Sequence, residues 1–252
     1  GQHPKATGYW DPHANSLHVG QRAESDTWRA VIVKLDMENH VPVNIVERIY
    51  LRMAEASGIQ TAPSWLVRNE QGAHLVSQRF DRDAFGGKQH QHSFAGMAHL
   101  DFNQRGHSYE QLMTTVMRVC SDRRDLIEAY RRAVFNVFAH NQDDHAKNFA
   151  FSMQLGGSFH LSPAYDLVFA EAEDGAGHWM TMNGQSERIQ RSDLVKLGEK
   201  FNFKPREIEA ILGEVADGVT AFERFAQEEK LSSGWRVKIR QNLQAIHERL
   251  SV

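Results

Sequence analysis

The most informative run in the chain is FAHNQDDHAKNFAF, residues 138–151. Within it Asp143 stands five residues before Asn148, with His145 and Lys147 between them and apolar residues at both ends. Eighteen residues past the Asn comes Asp166, in LSPAYDL. These residue types in this order suit phosphoryl transfer. One carboxylate orients a hydroxyl and accepts its proton, while an Asn and a second Asp offer oxygens to Mg²⁺. By itself D-x-x-x-x-N also reads as a turn between a helix and a hairpin, since Asp and Asn favour turns. Lys34 upstream and Asp166 downstream turn the reading towards a site.

On the N-terminal side of the stretch, residues 123–139 carry Leu126, Tyr130, Val134 and Val137 at helical spacing, with Phe135 and Phe138 widening the stripe. A shorter helix is expected over 109–119, and Cys120 at the junction reads as a small core residue. On the C-terminal side, two apolar-rich runs, 149–153 and 158–161, flank Gly156-Gly157. That is a hairpin signature, and it returns Asp166 towards Asn148.

Further out, residues 6–35 read as short strands, the last a β-branched run, RAVIVKL, with Lys34 near its end. A buried Lys needs a partner or a phosphate. A helix is expected over 43–57, closed by Gly58, with Ile45, Ile49 and Met53 as its inward stripe. Glu47, near its start, reads from the residues alone as a solvated charge favoured by the helix dipole. Two strands follow, 59–67 and 73–80, and Pro63 suggests an edge or a bend in the first. Residues 83–107 read as irregular, a flap or substrate-facing loop. Their four histidines, His90, His92, His99 and His107, lack the Cys pair or His-x-x-x-His spacing of a zinc site. The last third reads as helical scaffold. Pro205 opens a helix with Ile208, Ile211, Leu212 and Val215 inward, Phe222 and Phe225 continue beyond Gly218, and a last helix carries Ile239, Leu243, Ile246 and Leu250. Strands beside one helix, followed by helices, predict an α+β fold of two lobes.

Composition bounds the rest. The 252 residues suffice for one two-lobed unit, and 41% hydrophobic with 24% charged content is ordinary for a globular chain. A net charge of −3 argues against a broad nucleic-acid footprint. One cysteine excludes an internal disulfide and fits a reducing compartment. With neither a long apolar run nor a leader pattern, the expectation is a cytoplasmic protein with no membrane contact.

NQDDHAKN and SPAYDL, with the upstream VIVKL, ERIYLRMAEASGI and QRFDR, resemble the HipA-type serine/threonine kinases, toxins of bacterial toxin–antitoxin modules. The five motifs fall in order, and the likeness runs along the whole chain. Asp, Asn and a later metal-binding Asp also follow the order of the protein-kinase catalytic loop, although the letters HRD and DFG are absent. The resemblance implies a protein-kinase-like fold, with a small β-rich lobe over residues 1–82, a hinge at 78–82 and a helical lobe over 83–252. It implies ATP and Mg²⁺, with Asp143 and Lys147 catalytic, Asn148 and Asp166 on the metal, and Lys34 on the phosphates paired with Glu47. Lys5 would touch phosphate, and the backbone at Gln78 and Phe80 the adenine edge. It further implies a protein Ser/Thr substrate, with aminoacyl-tRNA synthetases among the family's targets, and a DNA-binding antitoxin partner.

The chain opens Gly1-Gln2-His3-Pro4-Lys5 without an initiator Met. By the family resemblance a longer parent is expected, cut within the Gly-rich loop, with the family's autophosphorylated Ser or Thr upstream of Gly1. Asp143 is expected to work at an ordinary carboxylate pKa, because proton transfer is late. His145 is expected to be buried and bonded to loop carbonyls, and Asp144 to be solvated or to cap the loop. Two rivals stand beside the kinase toxin: a non-enzymatic pseudokinase that binds a partner, and a small-molecule kinase. Intact Lys34, Asp143, Asn148 and Asp166 speak against the first, and Asn141, where small-molecule kinases place His, against the second.

Overall fold

A computed structural model describes residues 4–19, 25–36, 41–82, 87–172 and 175–251. The first half is strand-rich: β1 (Lys5–Asp11), β2 (Ser16–His18), β3 (Arg29–Lys34), α1 (Val43–Ala56), β4 (Ser64–Asn69) and β5 (Gly72–Gln78). These strands pair antiparallel in the order β2-β1-β3-β5-β4. Side-chain alternation decides what each face does. Val31 and Val33 pack with Trp10 and Val76 on one face, so Lys34 falls on the other, beside its register partners Lys5 and Leu75. Leu75 belongs to the main core with α1, so this face points Lys34 towards the helix.

On α1 the buried residues include Val46, Glu47, Ile49, Tyr50, Met53 and Ala54. The stripe is therefore rotated slightly from the expected one. Val46 is buried where Ile45 was expected, because Ile45 is only half-buried at the edge. Each fully buried Ile or Met contributes about 1.5–3 kcal/mol. Gly58 takes φ +75° after the helix, as a closing glycine should. The strand expected over 59–67 starts only at Ser64, beyond Pro63. Before it, the Gln60 N–H goes to Glu128 and Thr61 forms a bridge with Ala164.

The second half holds β6 (Gln91–Ser93), α2 (Phe94–Met97), α3 (Tyr109–Val119), α4 (Arg123–Phe138), β7 (Ala150–Met153), β8 (Phe159–Leu161), α5 (Arg191–Lys200), α6 (Pro205–Thr220), α7 (Phe222–Glu228) and α8 (Ser233–Leu250). The irregular reading of 83–107 is corrected where the residues are described. β6 pairs with β7 to give the order β6-β7-β8, and Ser93 caps α2, whose Phe94 is fully buried. Residues 83–86, with Gly86, lie outside the described residues, as do Gly1, Gln2 and His3 of the expected Gly-rich tail. Gly156 and Gly157 turn the β7–β8 hairpin at φ +104° and +89°. Beyond Gly218 the helix does not run on through Phe222 but breaks at Ala221, from which α7 starts. Gly218 is there for contact, since a Cβ on it would lie 2.6 Å from the Ser57 backbone nitrogen.

α1 packs against α6 and α7, fastening the sheet to the helices. Its Tyr50 hydroxyl donates to the Ala139 carbonyl at 2.7 Å, at the end of α4. One turn before Tyr50 sits Glu47. The helix that holds the partner of Lys34 is thus pinned to the start of the stretch at 138–151.

Candidate active site

The loop after α4 is set by polar contacts rather than by regular structure. His140 takes φ +53°, and the Asn141 amide donates to Asn136 Oδ1 at 2.9 Å. Asn148 Nδ2 donates to the Asp143 carbonyl at 2.7 Å, closing the loop across its five-residue step. That bond commits the amide nitrogen and leaves Oδ1 as the atom able to meet a cation. Asp143, Asn148 and Asp166 line one cavity of about 510 Å³ with Lys34, Glu47, Lys5 and Lys147. The β7–β8 hairpin makes this possible, returning the chain so that Asp166 comes back under the sheet. Asp166 takes φ +52°, a left-handed conformation uncommon for a non-glycine residue and frequent at functional sites.

Lys34 Nζ is held by both carboxylate oxygens of Glu47, each at 2.7 Å, and contacts Asp166 Oδ1. Burial opposes the Lys34 charge, but the carboxylates of Glu47 and Asp166 outweigh it and hold the amine above its usual pKa. Burial likewise pushes Asp166 up, and the Lys34 ammonium more than offsets it, leaving the carboxyl below its ordinary value. Asp143 goes the other way. Burial lifts its pKa against the pull of His145, with Asp166 and Asp144 adding to the lift. The expectation of an ordinary pKa is corrected accordingly.

Two neighbours differ from expectation. His145 is not buried among carbonyls: it lines the cavity, its Nδ1 accepts from the Lys147 N–H at 3.3 Å, and its Nε2 lies 4.0 Å from Asp143 Oδ1. Accepting at Nδ1 puts the neutral ring's proton on Nε2, towards Asp143. Asp144 is fully buried, which excludes the solvated alternative. It accepts from the Tyr109 hydroxyl, from His178 Nδ1 at 2.9 Å and from the Trp179 N–H at 2.8 Å. It caps backbone, but that of the segment at 179 rather than its own loop.

Lys147 Nζ sits 3.0 Å from the Phe102 ring centroid, and both residues line the cavity. Gln78 and Phe80 do not line the cavity. The Gln78 N–H is taken by the Pro63 carbonyl at 2.8 Å, and Phe80 packs on Tyr165 with centroids 5.7 Å apart. The same cavity has Trp179, Phe169 and Trp235 on its walls, none of which was singled out from the sequence. Trp179 and Phe169 lie in the stretch after Asp166 that has no helical or strand period, and Trp235 reads as scaffold.

Two oxygen ligands beside a lysine suit Mg²⁺, which takes one or two protein oxygens and completes its shell with water and phosphate. Among the described residues no three His, Cys, Asp or Glu converge as a metal cage. A cage of that kind would suit zinc better. Asn148 and Asp166 therefore fit the hard cation.

A sheet with one helix, a helical body, and Lys, Asp, Asn and Asp meeting in a shared cleft define a two-lobed, protein-kinase-like fold. The chain belongs to the family described as the HipA-like C-terminal domain, whose model matches residues 1–222. Among solved structures it is similar to HipA of the Shewanella oneidensis MR-1 toxin–antitoxin system, a complex with HipB and operator DNA. The TM-score is 0.77 at 20% identity, covering 99% of this chain and 64% of that one, so the chain spans less than two thirds of that HipA. It is also similar to CtkA, a proinflammatory kinase of Helicobacter pylori, with a TM-score of 0.54 at 7% identity, covering 92% of this chain and 98% of that one. At these identities the likeness is one of fold. No curated protein matches the chain. No helix among the described residues is long and apolar enough to cross a membrane.

Proposed function

We propose that the chain is the catalytic portion of an ATP-dependent protein serine/threonine kinase, the toxin of a toxin–antitoxin module. The observation that carries this reading is the meeting of Lys34, Asp143, Asn148 and Asp166, from three separate stretches, in one cavity. Asp143 orients the acceptor hydroxyl and takes its proton. The acceptor oxygen then bonds to the γ-phosphorus as the bond to the departing ADP oxygen breaks. Asn148 Oδ1 and the Asp166 carboxylate hold Mg²⁺, which when bound neutralises charge on the phosphates. Lys34, fixed by Glu47, neutralises the phosphates that do not react, and Lys147 and Lys5 add positive charge to the cavity wall. Residues 1–82 and 83–252 form the two lobes, with 78–82 as the crossing. The adenine edge is left to the crossing's backbone, with the Gln78 N–H already engaged.

The HipB and DNA bound to the Shewanella HipA support a DNA-binding antitoxin as partner. The substrate is a protein Ser or Thr, an aminoacyl-tRNA synthetase among the candidates. A lone buried thiol, Cys120, pushed up to about 12, is inert and suits a cytoplasmic setting. The test incubates the complete protein with labelled ATP and a cell lysate. Label in one discrete protein, lost with Asp143→Asn, is the expected result. Nucleotide binding with no transfer would instead leave a pseudokinase.

A further inference from the structure

The two lysines of the cavity that flank the metal ligands are held in different ways. Lys34 is bonded to the carboxylates of Glu47 and Asp166. Lys147, among the described residues, has no carboxylate within ion-pair reach, and its Nζ lies over the Phe102 ring instead. Phe102 is 39% exposed, so filling the core does not explain where its ring stands. Its backbone, however, is firmly placed. It lies in a turn in which the Gln104 N–H donates to the Asp101 carbonyl at 3.1 Å and the Asn103 N–H to Asp101 Oδ1 at 3.0 Å. Before the turn, the Phe94 and Ala95 N–H groups of α2 donate to the carbonyls of Phe149 and Ala146, at 2.8 and 3.1 Å. After it, the Gly106 N–H donates to the Trp179 carbonyl at 3.1 Å, and the His107 carbonyl accepts from the Thr181 N–H at 2.7 Å. The ring is thus tied to the catalytic loop on one side and to the segment at 179–181 on the other.

The Lys147 backbone is fixed as well. Its N–H donates to His145 Nδ1 at 3.3 Å, and its carbonyl accepts from the Tyr165 hydroxyl at 2.6 Å. What remains to be restrained is a long exposed side chain, and the ring restrains it. A carboxylate would neutralise the ammonium and occupy its donors. An aromatic face attracts it while leaving the charge and N–H groups available. A lysine ordered before its ligand arrives loses less freedom on binding. Lys147 is next in sequence to the metal ligand Asn148 and four residues from Asp143, so the phosphate it meets is the one that is transferred. Resting on the kinase reading, we propose that Phe102 is a positioning residue, which holds the Lys147 ammonium on the cavity wall for the γ-phosphate. One side of the ammonium faces the ring and the other meets phosphate oxygens, so ring and phosphate hold it jointly.

Calorimetry with a non-hydrolysable ATP analogue and with ADP, both with Mg²⁺, reads this without requiring transfer. Phe102→Leu keeps an apolar side chain but has no aromatic face. It should weaken the analogue about two- to fivefold and leave ADP within about 1.5-fold. Phe102→Tyr keeps the face and should leave both within about 1.5-fold. In a Lys147→Met background Phe102→Leu should have no further effect, since the partner of the ring is gone. No change with Phe102→Leu, equal weakening of both nucleotides, or an effect that persists without the Lys147 amine would overturn the proposal and leave Phe102 a piece of packing. Tighter analogue binding with Phe102→Leu would also overturn it, because ring and phosphate would then compete for the ammonium. The kinase reading fails separately. The expected pattern with no label transferred by the unsubstituted protein would uphold the role of Phe102 and leave a pseudokinase, whereas binding of neither nucleotide would overturn both.

Discussion

Asp143 and Asp144 are adjacent carboxylates that should behave as opposites when removed. Asp144 is fully buried and satisfies the Tyr109 hydroxyl, the His178 ring N–H and the Trp179 amide, with the Met180 amide more distant at 3.4 Å. Asp144→Ala strands three good donors in the interior. Each buried donor left unpaired costs roughly 1–3 kcal/mol, and partial relaxation lowers the sum, so the expected loss is about 3–5 kcal/mol. Against a total stability of roughly 5–15 kcal/mol this is a large fraction. For a chain of this size it corresponds to a fall in Tm of about 8–15 °C. Asp144→Asn keeps one oxygen for the Trp179 amide and turns an NH₂ towards the other donors, so it should lose about half as much. Asp143 has a half-exposed side chain whose carboxylate, among the described residues, satisfies no buried donor, with His145 Nε2 4.0 Å away, so Asp143→Asn should stay within about 0.5 kcal/mol while abolishing transfer. Urea unfolding followed by tryptophan fluorescence and circular dichroism, with m-values compared, measures all three. A loss below about 1 kcal/mol for Asp144→Ala, or equal losses at both positions, would refute the assignment of Asp144 as the clamp.

Lys34→Ala leaves the buried Glu47 without its partner and should destabilise by roughly 3–5 kcal/mol while ending nucleotide binding, read by urea melts and calorimetry. Glu47→Gln keeps the shape but loosens the amine, and should weaken ATP binding about tenfold with a smaller stability loss. The acid limb of kcat/KM should follow Asp143. Its raised pKa means that activity falls as pH drops through a value above that of an ordinary Asp, because the protonated carboxyl can no longer accept the proton. His145→Ala removes a group that opposes this rise and should move the limb to higher pH; a pH–rate profile with an unmoved limb would sink that account. Gly218→Ala pushes a methyl into the Ser57 backbone where α1 meets α6, and should lower Tm by roughly 2–10 °C in a thermal melt.

What was readable in the chain was whatever local periodicity or spacing encodes. The strand ending at Lys34, the helix carrying Glu47 and the hairpin around Gly156-Gly157 each follow from side-chain alternation or turn chemistry within a few residues. The Lys34–Glu47 contact came from the family resemblance, because alternation gives Lys34 a face of the sheet but does not say which helix residue meets it there. β6 and α2 were hidden because three strand residues and one helical turn are too short to show a period. Their stability comes from pairing with β7 and from burying Phe94, both long-range facts. The different fates of Asp143 and Asp144 were illegible for a related reason. Identical in type and adjacent, they are told apart only by Tyr109 and His178, which arrive from more than thirty residues away on either side.

The clamp on Trp179 also bears on how the two sides of Asp143 work together. Asp143 and Trp179 line both the cavity that holds Asn148 and a second, of about 490 Å³, walled by Gln142, and one short loop supplies Asn148 to the first and, through Gln142 and Asp144, the support of the second. A disturbance at the second cavity therefore has a short covalent path to the first. Interfaces held by buried polar networks yield in discrete steps rather than by gradual deformation. Asp144→Asn should accordingly raise KM for the peptide acceptor more than Kd for nucleotide, because the bonds it breaks run to Tyr109 and His178 and not to Lys34 or Asp166. A loss of equal size on both sides would mean that the loop moves as one rigid piece, and that Trp179 is merely carried along with it.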